Sequence, residues 1–333
     1  MAESSRLEAS MFGTARSCGM SMSRRVTPRA AALALLLCPL AWTGPAAGQS
    51  PPTDSLIEIA AYPLPPRFAL RGAAVNDAGS VLYWTDSSAV VVAQSSAGIE
   101  IVCRRGLRRP IGAAFVSDGS GVEIVDAGSR AVLRRDGDCH QVFALRAAGE
   151  FVSAGRTSSG WVFGLVAPSG AGLVMAVDTA GSETWSTSAQ ALRAELWDPR
   201  LSHLSAAGTG VVLSASRWPF PWLWITRDGS VVAQSDTTSL SRALPATEDW
   251  IGLPAVAVGG ALVQTIADPR SDQRRIVVYG RDGRVVRVVS LNTAMGLLAS
   301  SPNGRLAVAA RRTDVLEVVV YRWAGPSPET GGP

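Results

Sequence analysis

SPNGRLAVA, residues 301–309, reads as a tight turn that runs directly into a strand. Ser, Pro, Asn and Gly bring the chain round, and a run of small apolar residues follows. The same signature recurs upstream as NDAGSV, SDGSGV, TSSGWV, AAGTGV and AVGGAL. The glycines of this set are Gly79, Gly119, Gly160, Gly208, Gly259 and Gly304, at intervals of 40, 41, 48, 51 and 45 residues. A second set, SSAGIE, RRDGDC, DTAGSE, TRDGSV and GRDGRV, carries Gly98, Gly137, Gly181, Gly229 and Gly283 and alternates with the first. Each glycine supplies the positive φ of a tight β-turn, so every unit holds two hairpins and four strands.

Long amphipathic helices are nearly absent, and short Val/Ile/Leu/Ala runs broken by Gly, Asp, Ser and Asn predict an all-β chain. Small residues just inside the first strand of each unit, Gly72, Gly112, Ser153, Ser202, Gly252 and Gly296, suit strands that converge on an axis. Six first-hairpin turns face only five second-hairpin turns. The count closes if SLIEIAAY, near the start, supplies the outer strand beside EVVVYRW (Glu317–Trp323). The prediction is a six-bladed β-propeller of four-stranded blades, the last closed by an N-terminal strand. Seven blades would need a further unit within residues 182–207, which reads instead as one outer strand and a long connector.

RDGSVVAQ, RDGRVVRVVSL and SPNGRLAVA together make the chain resemble the six-bladed β-propellers of the NHL-like group found among bacterial exported proteins. The resemblance covers roughly residues 55–323 and implies a fold rather than a function, because that group includes enzymes and many binding proteins.

Residues 1–48 read as an export signal. Arg24, Arg25 and Arg29 precede the apolar run Ala31–Trp42, and Ala46 and Gly48 form a small-residue cleavage site. That run is too short to span a bilayer, and no later stretch predicts a transmembrane span. Met20 or Met22 is an alternative start. Cys38 is an alternative lipidation site, although Leu stands where a small residue is usual, and SRRVTP is an alternative twin-arginine signal. The leader holds five Arg against Glu3 and Glu8, a net +3 of the chain's +4, so the remainder is near neutral. All 31 basic residues are Arg, which reads as codon bias rather than guanidinium chemistry. Residues 49–323 form the propeller, and 324–333, rich in Pro and Gly, form an unstructured tail.

Few residues in the propeller carry chemistry. Its only histidines are His140 and His203, in different units, and no metal set assembles around either. His203, at the start of an inner strand, is a channel-lining candidate and a weak catalytic one, with Glu248 and Asp249 as the nearest acids. Calcium-dependent lactonases, a related six-bladed class, place Glu, Asn and Asp at the channel mouth. The inner-strand starts here, LRGA, PIGA, FVSA, LSHL, WIGL and MGLL, carry no carboxylate. No cofactor is expected. Arg67, Arg71, Arg104, Arg105, Arg108 and Arg109 cluster where blade one begins and where it passes to blade two, a possible anion-binding sector. SRWPFPWLWI (216–225) divides in two. Trp222 and Trp224 belong to the blade interfaces, and Trp218 and Phe220 to an exposed loop able to contact a partner.

In an oxidising compartment Cys103 and Cys139 suggest one disulfide. Cys103, late in one outer strand, and Cys139, beginning the next, would lie toward opposite faces if all blades run alike, so two separate thiols are expected.

The sequence reading is an exported, non-catalytic binding or scaffold propeller, periplasmic or extracellular and monomeric, with a protein or anionic glycan partner and no nucleic acid. The alternative is a carbohydrate- or lactone-active hydrolase or lyase at the channel mouth. Intact-mass analysis of the protein from its own envelope should show a chain beginning at Gln49; a mass retaining residues 1–48 would remove the export reading.

Overall fold

The computed structural model describes residues 56–65, 68–85, 90–103, 107–116, 121–188, 202–208, 210–244, 249–271 and 273–324. The leader read at 1–48, and all but the first residue of the tail read at 324–333, lie outside them.

An isolated first strand, β1 (Leu56–Pro63), precedes blade one: β2 (Gly72–Val75), β3 (Val81–Thr85), β4 (Val90–Ser95) and β5 (Gly98–Val102). Blade two is β6 (Pro110–Phe115), β7 (Val122–Asp126), β8 (Ala131–Arg135) and β9 (Cys139–Ala144). Blade three is β10 (Glu150–Thr157), β11 (Gly160–Val166), β12 (Gly172–Asp178) and β13 (Glu183–Ser188). Blade four is β14 (Ser202–Ala207), β15 (Gly210–Ala215), β16 (Trp222–Ile225) and β17 (Val231–Gln234). A short helix, α1 (Thr237–Ala243), leads to blade five: β18 (Ile251–Val258), β19 (Ala261–Ala267), β20 (Arg274–Tyr279) and β21 (Val285–Leu291). Blade six holds β22 (Ala294–Ser300), β23 (Leu306–Arg312) and β24 (Leu316–Trp323), with β1 as its outer strand. Each sheet has four antiparallel strands, and the blades pack side by side into a closed ring.

Burial follows radial position. The second strands β3, β7, β11 and β15 are buried along their whole length. Neighbouring blades cover both faces, so these segments are mostly apolar along their length instead of strictly alternating, with Glu123 and Asp126 of β7 the charged exceptions. Outer strands such as β5 and β9 are largely exposed. The turn glycines hold the chirality: Gly79, Gly229 and Gly304 have φ of 85°, 85° and 67°. Inner-strand glycines make room for the next blade. A Cβ at Gly296 would fall 2.2 Å from Leu253 Cδ1 of blade five.

Closure is the antiparallel pair β1–β24, from Leu56 opposite Trp323 to Pro63 opposite Glu317. An ionic clasp reinforces it. Arg311 of β23 donates to Glu317 at 2.9 Å and to Glu58 of β1. Its hydrogen bond to Glu58, above all, raises the Arg311 pKa against the opposing effect of burial.

Two expectations need amendment. Helix α1 was not foreseen. Asp236 caps it by accepting from the Thr238 and Ser239 backbone N–H groups, and Leu240 is buried in the seam between blades four and five. Cys103 and Cys139 are not separate thiols but a disulfide, with Cα atoms 5.6 Å apart. Twist explains the error. Adjacent strands rotate by about 20–25° each, so an outer strand runs more around the ring than along its axis, and the end of β5 meets the start of β9.

Arg311→Ala should lower stability in urea by about 2–4 kcal/mol, because it strands the half-buried Glu317 beside Glu58. Glu58→Gln, at the exposed end of the clasp, should cost less than about 1 kcal/mol. Equal losses would assign the clasp no special role.

Candidate functional site

Alternating strand directions place the blade-to-blade connectors and the turns between second and third strands on one face of the ring. Arg71 stands just before β2, His203 is the second residue of β14, and Ser216 follows the end of β15. Blades one and four are three positions apart in a ring of six, and the charge of Arg71 acts on His203 across it.

His203 Nε2 and Ser216 Oγ lie 2.8 Å apart in a hydrogen bond whose donor depends on the imidazole tautomer. Ser216 is itself fixed, because its carbonyl accepts from the Gly252 N–H of blade five at 2.8 Å. Burial first, and then the charge of Arg71, lower the His203 pKa to about 4. At neutral pH the imidazole is therefore uncharged.

The expected arginine sector is only partly realised. Arg67, Arg104 and Arg105 lie outside the described residues. Arg108 is exposed, but Arg109 acts as a strut between blades two and three. Its guanidinium donates to Glu150 Oε1 at 2.7 Å and to the Phe151 carbonyl at 3.0 Å. The buried Asp126 carboxylate, closing β7, accepts from the backbone N–H groups of Arg108, Arg109 and Ser129. Sequence reasoning missed this organiser; its signal was an acid at the last position of the strand VEIVD.

The aromatic loop also departs from expectation. Phe220 is not exposed but fully buried, at φ +54°, with its ring edge-on to Trp218 at 5.5 Å. The left-handed backbone turns the ring inward against Gly252, where a Cβ would lie 2.9 Å from Phe220 Cδ1. Only Trp218 of this pair keeps partial exposure. Trp222 packs edge-on against Tyr279 at 5.3 Å in the next blade, and Trp224 is partly buried against the same cluster, as the strand reading anticipated.

Asp249 is exposed and paired with Arg270 at 3.1 Å. Glu248 lies outside the described residues. Among the described residues no carboxylate bonds to His203, and no group of three His, Cys, Asp or Glu side chains could hold a metal ion. No helix among them is long and apolar enough to cross a membrane.

No family model matches the chain, and no curated protein matches it. Among solved structures it is similar to a catalytically inactive histidine-to-alanine variant of virginiamycin B lyase from Staphylococcus aureus with quinupristin. The TM-score is 0.50 at 10% identity, over 78% of this chain and 82% of that one. A streptogramin B lyase aligns with TM-score 0.49 at 10% identity, over 78% and 96% of the two chains. The WD40 propeller domain of Doa1 aligns with TM-score 0.48 at 11% identity, over 81% and 99%. At such identities the likeness shows the fold alone.

His203 gives the site a pH signature. The unfolded imidazole takes a proton below about pH 6.5, while the folded one resists until about 4, so stability falls as the pH drops through that window. His203→Gln should flatten the stability profile between pH 4 and 6.5, removing up to about 3 kcal/mol of pH dependence. Chemical denaturation at stepped pH reads this directly, and an unchanged profile would move the depressed group elsewhere.

Proposed function

We propose that this chain is an exported, monomeric binding propeller that holds an anionic partner, an acidic protein segment or a uronate-bearing glycan, at the mouth of its channel. The observation that carries the reading is the effect of the Arg71 charge on His203, whose Nε2 lies 2.8 Å from Ser216 Oγ. Arg71 brings positive charge that favours a carboxylate, while a neutral imidazole and a hydroxyl add hydrogen-bonding capacity without demanding a proton. Arg108 extends the cationic surface on the same face, and Trp218 supplies a partly exposed ring edge. A histidine held neutral down to about pH 4 is poorly matched to proton transfer near neutrality, where catalysis favours a pKa close to the working pH. The export part of the reading rests on residues 24–48.

A second reading, a lyase using His203, draws on the 2.8 Å contact with Ser216. It also draws on the fold shared with a virginiamycin B lyase whose histidine-to-alanine variant is inactive. One pair of experiments separates the two. Binding of fluorescent oligogalacturonate should weaken roughly tenfold or more in Arg71→Ala, and should fall with added salt in the wild type. Melting temperature should hold. Quinupristin incubated with the wild-type protein should remain intact by mass spectrometry. Its consumption, lost in His203→Ala, would replace the binding reading with the lyase one; affinity indifferent to Arg71 would remove the anion site.

A further inference from the structure

The ring is tied at its seams in different ways. Glu123 of blade two meets Arg156 and the Trp161 indole of blade three, each at 2.9 Å. The Trp185 indole donates to the Arg227 carbonyl between blades three and four, and the Asn303 N–H to Asp77 between blades six and one. At the seam of blades one and two, Arg135 pairs with Glu100 at 2.7 Å, and beside that ion pair runs the Cys103–Cys139 disulfide.

Two asymmetries distinguish this bridge. Cys103 is buried, 7% exposed, among Leu82, Trp84, Val91 and Val102, whereas Cys139 is exposed at the outer edge where β9 begins. Cys103 also sits at φ +52°, a left-handed conformation that a non-glycine residue adopts only where its surroundings impose it. The bridge tethers that residue at the point where blade one hands over to blade two.

We propose that Cys139 is a thiol–disulfide exchange site, through which small thiols open the seam between blades one and two. An external thiolate attacks Cys139 Sγ and forms a new S–S bond. The electron pair of the old bond passes to Cys103 Sγ, which leaves into the seam and takes a proton from solvent. A second thiol then attacks the outer sulfur of the mixed disulfide, giving the oxidised small disulfide and a free Cys139 thiol. Two thiols are oxidised for each bridge reduced. Exposure decides which sulfur is attacked, and release lets the Cys103 backbone leave its left-handed state. The inference is independent of the anion-binding reading, since it concerns the rim and not the channel mouth.

The test uses the full chain and glutathione as the probe. Each cysteine falls on its own tryptic peptide, so Cys18 and Cys38 do not obscure the result. After a short exposure and acid quench, glutathione adducts should be found on Cys139 in at least roughly tenfold excess over Cys103, with Cys103 recovered as a free thiol. Hydrogen exchange should then rise in β3, β5 and β6 while β15 and β19 stay protected. Adducts mainly on Cys103, equal labelling of both, or a bridge that opens only where all blades lose protection would each overturn the proposal. Cys103→Ser and Cys139→Ser, each leaving one thiol of the pair, supply a second reading: the remaining Cys139 should react with a maleimide roughly a hundredfold faster than the remaining Cys103. Equal rates in folded variants would count against it, and the wild-type adduct map decides if either variant fails to fold.

Discussion

Everything in this molecule depends on the antiparallel pairing of β1 with β24. Six twisted sheets stacked around an axis bury their faces on one another, but only if the last meets the first. Each seam contributes apolar packing on both sides of a blade, so an open ring would expose two such faces at once. Eight residues of N-terminal strand prevent that, and they are held by more than backbone ladder bonds. Arg311 reaches from β23 across β24 to Glu58, gripping Glu317 on the way, so three strands of blade six share one guanidinium.

The same use of arginine recurs around the ring and bears on function. A chain with 31 Arg and no Lys invites a search for anion sites, yet many of these groups face inward to other parts of the fold. Arg134 and Arg156 hold the buried Glu123 carboxylate. Burial alone would raise its pKa, but the hydrogen bond from Arg134, the charge of Arg156 and the Trp161 indole together keep it below the usual range. Arg109 is committed to Glu150 and the Phe151 carbonyl. Arg71 differs from these in that its charge acts on the His203 imidazole.

The architecture was legible because turn chemistry repeats. Alternating glycine turns gave the hairpin count, and the missing sixth turn located β1. Side-chain fate was harder to read wherever it depended on backbone direction. WPFP looks like a stiff exposed loop, but a left-handed Phe220 drives its ring into the core, and no residue type announces that. Strand order alone sets Cys103 and Cys139 apart, and it does not carry the accumulated twist that brings β5 to β9. Helix α1 spans only seven residues and is set by a single Asp cap, too short for periodicity to reveal. At the site, the position of His203 near the start of β14 follows from the turns, but its partner Ser216 comes to it only through the β14–β15 hairpin, thirteen positions along.

The closing strand has a consequence for how the molecule comes into being. β1 is the first strand of the ring to emerge from the ribosome, and its partner β24 is the last strand of the ring. Throughout synthesis LIEIAAYP has no sheet to join, although Ile57, Ile59 and an open backbone edge make it adhesive. The five self-contained blades can collapse in order, from local hairpins, while this one stretch waits for a contact some 250 residues away. Folding of the ring is thus a long wait followed by a single latch, and a cell that makes this protein must keep an idle strand from finding the wrong neighbour until β24 has been made.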